Sequence, residues 1–219
     1  MMGTKVFLIS GLGADHRVFQ NLNFGKNEIQ HVAWIAPQKR ERIGDYAQRL
    51  ALQIDDPNPI IVGLSFGGMM AIELSKFLDV KKIILLASVK QRCDLPFYYR
   101  MAGRGNFHRY IPGSFFKKSN IISQWLFGAN TPELKAMLRD ILQDTDEQFI
   151  VWAIDQIVHW DNTEIPQNLI HLHGTADRVL PCRTARPHLK IKNGSHLMTF
   201  DKAEEISTLL NSIINESLN

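Results

Sequence analysis

Ser65 stands between Gly63 and Gly67 in the stretch PIIVGLSFGGMMAIEL (residues 59–74), with an all-apolar run before it and a helical pattern after it. A serine hydroxyl is a weak nucleophile at neutral pH. It becomes a strong one when a histidine takes its proton and a carboxylate orients that histidine. A tight strand-to-helix turn would hold Ser65 Oγ above the edge of a sheet, and side chains at positions 63 and 67 would collide with such a turn. The next amide, Phe66 N–H, would then lie at a helix N-terminus, where partial positive charge favours a developing oxyanion. The bland alternative is an ordinary strand-to-helix turn with a convenient small polar residue.

Two later segments offer the missing partners. HLHGTADRVLP (171–181) puts Asp177 just after an apolar run, in a loop closed by Pro181, and NGSHLMTF (193–200) puts His196 before the last helical period. The order Ser65, Asp177, His196 is the one that accompanies a Gly-x-Ser-x-Gly turn. Asp94 follows another apolar run and is the alternative acid, disfavoured by the HGTAD context of Asp177. His171 and His173 alternate along one run, but two histidines fall short of a metal-ligand set, so hydrogen-bonded strand histidines are expected and no metal.

Those residues need elements to carry them. Short apolar runs rich in β-branched residues recur at 5–10, 31–36, 59–64, 81–88, 168–174 and 188–194, several without alternation, as strands buried on both faces require. Helical periods lie between them: Ile43, Tyr46, Ala47, Leu50 and Ile54 share one face, Phe66, Met69, Met70 and Phe77 a second, and Ile206, Leu209, Leu210, Ile213 and Ile214 a third. Asp201 is expected to cap that last helix, with Glu204 at the capping-box position. The alternation predicts an α/β fold, a mostly parallel six-stranded sheet with helices on both faces. It breaks between about Lys90 and Pro166, where helical periods replace strands. The expected organisation is a core of 1–89 and 167–219 with a helical cap at 90–166, over the strand edge where such folds bind ligands.

On these residues the chain resembles the α/β-hydrolase superfamily over nearly its whole length. The resemblance implies a nucleophile serine at 65, an acid at 177, a histidine at 196 and a helical cap, in a compact version of the fold that lacks the first antiparallel hairpin. Ser10-Gly11-Leu12-Gly13 matches the loop that usually reads His-Gly, so Leu12 N–H is the implied second oxyanion donor and Gly11 lies against the substrate. Ser10 replaces the histidine that generally supports this loop, which bears on loop geometry more than on chemistry. His16, just after the loop, is a candidate pocket residue.

Bulk properties narrow the partners. The chain of 219 residues is 45% hydrophobic and 21% charged, ordinary for a globular domain, and its net charge of +3 is too small to argue for nucleic acid. No apolar run approaches a membrane span, and MMGTKVFLISGLG is too short in its apolar part for a signal peptide. Two cysteines, Cys93 and Cys182, make no disulfide framework, so the cytoplasm is the expected compartment. Residues 90–118 hold seven Lys or Arg against one acid, with seven Phe or Tyr. The expected reading is a cap helix with a solvated face and an apolar underside, ahead of a grip on an anionic substrate. Trp125, Trp152 and Trp160 are expected to pack the cap or its junction with the core.

The expectation is a serine hydrolase cleaving a small or medium carboxylic ester or thioester, needing neither metal nor organic cofactor. A C–C bond hydrolase or lyase, or a non-catalytic ligand-binding protein, would use the same scaffold. The sequence does not choose an oligomeric state.

Overall fold

Runs such as KVFLI, IIVGL and KIILL offer no polar face to water, so they belong in the middle of a sheet covered on both sides. The computed structural model describes residues 4–117 and 119–217. Its strands are β1 (Lys5–Ile9), β2 (Glu28–Val32), β3 (Ile60–Leu64), β4 (Lys82–Leu86), β5 (Leu169–Gly174) and β6 (Leu189–Ile191). They form one sheet in the order β2-β1-β3-β4-β5-β6, and every pairing is parallel. All four strand ends that matter to the chemistry therefore open at one edge. The order reverses between β1 and β3, the switch point at which open α/β sheets leave a crevice.

Alternate residues of each strand feed two apolar layers. Phe7, Ile9, Ile61, Ile83 and Leu85 point to one side, where α1 (Ile43–Leu50) and α2 (Phe66–Leu74) cover them. Val6, Leu8, Ile60, Val62 and Ile84 point to the other. Between β4 and β5 the chain forms α3 (Phe97–Gly105), α4 (Gly113–Phe116), α5 (Ile121–Phe127), α6 (Pro132–Asp144) and α7 (Glu147–His159). After β5 come α8 (Cys182–Ala185), α9 (Met198–Asp201) and α10 (Ala203–Glu216). Ile206, Leu210 and Ile214 of α10 are fully buried against the second layer. Burying each such side chain contributes roughly 1.5–3 kcal/mol.

The helical segment between β4 and β5 is tied at its neck. Arg92 N–H donates to Asn162 O at 2.7 Å, and Asn162 Nδ2 donates to Lys90 O at 3.1 Å. Just past α7, Trp160 is buried and its indole N–H donates to Glu73 Oε1 of α2 at 2.8 Å. Trp152 lies over Tyr46, with ring centroids 4.3 Å apart. These two tryptophans sit at the junction with the sheet layers, as expected. Trp125 does not: it is 56% exposed, with the Arg178 guanidinium 4.6 Å from its ring.

Several boundaries differ from expectation for local reasons. The second strand covers 28–32 rather than 31–36, because its partner β1 ends at Ile9 and residues past Val32 have nothing to pair with. β6 is three residues long, stopping opposite Gly174 where β5 stops. α2 ends at Leu74, so Phe77 lies beyond it and is half exposed. Phe97, Met101, Tyr110 and Phe115 also face outward, against the expected apolar underside. Gly103 makes the close approach of α3 to α7, where a Cβ would meet the Val158 backbone, so a small residue occupies the contact and the aromatics are turned away. Lys118 of the basic segment lies outside the described residues.

Candidate active site

β3 runs straight into α2 through one residue, Ser65, whose backbone takes φ 52° and ψ −118°. A non-glycine residue held there stores about 1–3 kcal/mol of strain, and the surroundings enforce it. Ser65 N–H donates to Leu86 O at 2.9 Å, and Ser88 Oγ donates to Ser65 O at 2.6 Å. A Cβ at Gly63 would strike the Gly67 carbonyl, and one at Gly67 would strike the carbonyls of Ile9 and Ser10. The glycines let the turn close on itself and on the end of β1.

The three residues expected to work together meet at the sheet edge. His196 Nδ1–H donates to Asp177 Oδ2 at 2.7 Å, and the Ser65 hydroxyl lies 3.0 Å from His196 Nε2. Asp177 Oδ1 accepts the Val179 and Leu180 amides, each at 2.9 Å. Its Oδ2 also lies 3.1 Å from His173 Nε2. Burial works to raise the pKa of Asp177, but His196 and His173 outweigh burial and hold the carboxyl well below the usual range. Asp177 is thus ionised across the neutral range, and His196 faces a permanent negative charge.

The loop bearing His196 is braced from both sides. Ser195 N–H donates to Asp201 Oδ2 at 2.9 Å, and Leu197 N–H donates to Phe127 O at 3.3 Å. The Phe127 ring meets the His196 imidazole edge-on, with centroids 5.5 Å apart. Asp201 was expected to cap the last helix; it closes α9 instead, and α10 opens behind Lys202 with no side-chain cap. Its carboxylate is committed to the histidine loop.

The Ser10–Ala14 loop lies against the serine turn, with the Gly11 Cα side facing Ser65 Cβ closely enough that a Cβ would sit 3.4 Å away. Leu12 follows at once. Phe66 opens α2, so its N–H is among those that helix geometry leaves without a carbonyl partner. Ser10 supports the loop: its hydroxyl donates to Ala14 O at 2.6 Å and accepts the Trp34 indole N–H at 3.0 Å. Trp34 also donates to Gly11 O at 3.2 Å and stacks on Phe66 at 5.4 Å. Thr145, between α6 and α7, donates to Gly13 O at 2.5 Å.

His16 is largely exposed, on the rim of a cavity of about 550 Å³ bounded by the Ser10–Ala14 loop, His31, Trp34 and Phe149. Ser65 and His196 are not in its wall. Asp94, the alternative acid, is fully buried 3.6 Å from Lys90 Nζ and has no hydrogen bond to a histidine. His171 and His173 are buried and hydrogen-bonded to each other at 3.0 Å. Among the described residues, the group of three side chains close enough to share a cation is His108, Asp155 and His159, which does not include this pair. Sequence reasoning missed Trp34, Ser88, Thr145 and Asp201. Of these, only Ser88 carried a local signal, two residues past the apolar run that ends β4.

A family model described as the Alpha/beta hydrolase family matches residues 5–209. The chain belongs to that family. Among solved structures, this alpha/beta hydrolase is similar to a thermophilic esterase from Thermogutta terrifontis, at 16% identity and TM-score 0.68, covering 100% of this chain and 92% of that one. It is similar to the enol-lactonase from Burkholderia xenovorans LB400, at 14% identity and TM-score 0.71, covering 97% and 92%. It is also similar to a bromoperoxidase from Bacillus anthracis, at 16% identity and TM-score 0.67, covering 97% and 92%. At these identities the likeness is one of fold. No curated protein matches the sequence. No described helix of this hydrolase-fold chain is long and apolar enough to cross a membrane.

Proposed function

We propose that the chain is a serine hydrolase that cleaves a small or medium carboxylic ester or thioester. The observation that carries this is the placing of one imidazole between two partners: His196 reaches Ser65 Oγ at 3.0 Å and Asp177 Oδ2 at 2.7 Å. That is the geometry of a nucleophile, its base and the group that orients the base. The Thermogutta esterase and the Burkholderia enol-lactonase share the fold, and a lactone is a cyclic ester, so both fit the same chemistry.

Ser65 Oγ attacks the substrate carbonyl as His196 Nε2 takes its proton. Asp177 keeps the imidazole in the Nδ1–H tautomer and stabilises the imidazolium. The amides of Phe66 and Leu12 hold the oxyanion, and loss of one such donor costs roughly 10²–10³ in kcat. His196 then gives its proton to the leaving oxygen or sulfur, and the carbonyl stays bonded to Ser65 as an acyl ester. Water, deprotonated by His196, releases the acid and restores Ser65. Gly11 keeps the approach to the carbonyl clear, and His16 borders the space beyond the loop. Residues 90–166 act as the cap that selects the acyl group. The reaction needs no cofactor from outside the chain, and the cytoplasm suits its two free cysteines.

The test is intact-mass analysis after treatment with a fluorophosphonate, on the wild-type protein and on Ser65→Ala. One adduct on the wild type, mapped to Ser65 and absent from the variant, is expected. A folded wild type that takes no adduct would overturn the reading.

A further inference from the structure

His171 and His173 are two apart on β5, so they project from the same face of the sheet, and neither is exposed to solvent. Their hydrogens can be assigned from their neighbours. His173 Nε2 lies 2.6 Å from Leu180 O and 3.1 Å from Asp177 Oδ2, and both of those oxygens only accept. The hydrogen of His173 is therefore on Nε2. In neutral His173, Nδ1 then offers a lone pair, and the nitrogen facing it at 3.0 Å, His171 Nε2, must carry its own hydrogen. That leaves His171 Nδ1 bare, and it is a buried atom with no hydrogen-bond partner. An imidazolium at His173 would reverse the middle bond and put an N–H at His171 Nδ1 with no acceptor, the costlier way to leave a buried group.

The other groups around the pair are consistent with this assignment. His188 Nδ1 accepts the His171 amide at 3.0 Å. Lys90 spends its hydrogens on Ala185 O and Arg186 O, at 2.8 and 2.5 Å, with Asp94 at 3.6 Å. No acceptor among them is aimed at His171 Nδ1. Three of the four ring nitrogens of the pair are in hydrogen bonds.

We propose that His173 is a positioning residue for the acid of the triad: held in its Nε2–H tautomer by His171, it donates to Leu180 O and so fixes the turn whose Leu180 amide holds Asp177 Oδ1. The inference rests on the reading of Asp177 as the triad acid. The Val179 and Leu180 amides fix Oδ1, His196 Nδ1–H donates to Oδ2, and His173 Nε2 lies 3.1 Å from that oxygen with its hydrogen directed to Leu180 O. With three donated hydrogen bonds on its two oxygens, the carboxylate is held facing His196. Without the His173 donor, the buried Leu180 carbonyl loses its partner and the turn that carries the two amides is free to shift.

The experiment reads imidazole nitrogens directly. Two-bond ¹H–¹⁵N spectra of histidine-labelled protein are recorded from pH 5 to 9 on the wild type, His173→Gln and His173→Phe. The wild type is expected to show His171 and His173 as Nε2–H tautomers. In amide hydrogen exchange, the Val179 and Leu180 amides of His173→Phe are expected to exchange faster than in the wild type, and those of His173→Gln, whose amide can still donate to Leu180 O, to return towards it. With 4-nitrophenyl acetate, His173→Phe is expected to lose about 10-fold in kcat, the range of one neutral hydrogen bond, with KM nearly unchanged. An Nδ1–H tautomer at His173, or Val179 and Leu180 amides that exchange no faster in a folded His173→Phe, would overturn the proposal. Should His173→Phe fail to fold, the wild-type tautomers and the Gln variant decide it. The spectra need no substrate, so failure of the ester assay alone would count against the esterase reading and not against this one.

Discussion

Asp201 Oδ2 accepts the Ser195 backbone amide at 2.9 Å, closing the His196 loop onto the helical turn that follows it. The bond fixes the residue immediately before the histidine. Asp201→Ala should therefore lower kcat about tenfold with little change in KM, and cost on the order of 1 kcal/mol of stability, because the carboxylate itself is exposed. Steady-state kinetics on 4-nitrophenyl acetate beside a thermal melt would check it. Unchanged kcat would mean that Phe127 and Leu197 hold the loop alone.

The two candidate acids separate cleanly by substitution. Asp177→Asn should drop kcat by roughly 10⁴-fold, because the amide stabilises the wrong imidazole tautomer. Asp94→Asn should leave turnover per folded molecule intact while lowering stability by up to about 3 kcal/mol, since it strips the buried Lys90 of its charge partner. Active-site titration combined with urea denaturation distinguishes the two, and the reverse pattern would reassign the acid.

Gly67 and Gly44 should respond oppositely to alanine. At Gly67 a methyl group would collide with the carbonyls that end β1, displacing the Ser10–Ala14 loop, and Ser65 should become inert to fluorophosphonate. At Gly44, near the start of α1, the nearest atom is 4.0 Å away, and alanine should be neutral or stabilise by up to about 1 kcal/mol. Labelling rates and melts on the pair test whether the serine turn depends on that contact.

Stability should fall as pH drops below about 6.5. Burial first, and then His173, push the pKa of His171 well below its ordinary value, so the native state keeps it neutral. Below the unfolded pKa the unfolded chain binds a proton that the native chain refuses, and stability is lost at up to about 1.4 kcal/mol per pH unit. Burial lowers the pKa of His31 and His188 as well, in the same sense. Asp177, whose pKa is depressed, adds stability that is lost only below about pH 4 and so does not enter this window. His171→Gln should flatten the slope of urea stability between pH 6.5 and 5. A slope equal to that of the wild type would show that His171 protonates in the folded state.

The six strands and the Ser65–Asp177–His196 constellation were legible because each depends on local grammar: buried runs, glycines around a turn, and residues just past a strand end. What braces them was not. Trp34 reads as a strand residue in HVAWIA, and only the early end of β1 frees it to reach Ser10 and stack on Phe66. Asp201 reads as a helix cap because it precedes an amphipathic run, yet a nearer amide captures it. The outward aromatics of α3 were hidden because Gly103, rather than an apolar stripe, makes the contact with α7. Tertiary partners chosen by proximity leave no period in the sequence.

The all-parallel order of the sheet has a consequence for the time course of folding. Ser65 and His196 are 131 positions apart, and β5 can join β4 only after the long helical segment between them has been crossed. Parallel pairings of such high sequence separation form slowly, because chain closure is costly before any contact rewards it. The imidazole arrives on the loop after β6, the last strand to be made and an edge strand of three residues. Reactivity at Ser65 should therefore appear as the final event of refolding, later than the recovery of helical signal, which makes a fluorophosphonate a stopwatch for completion of the native chain.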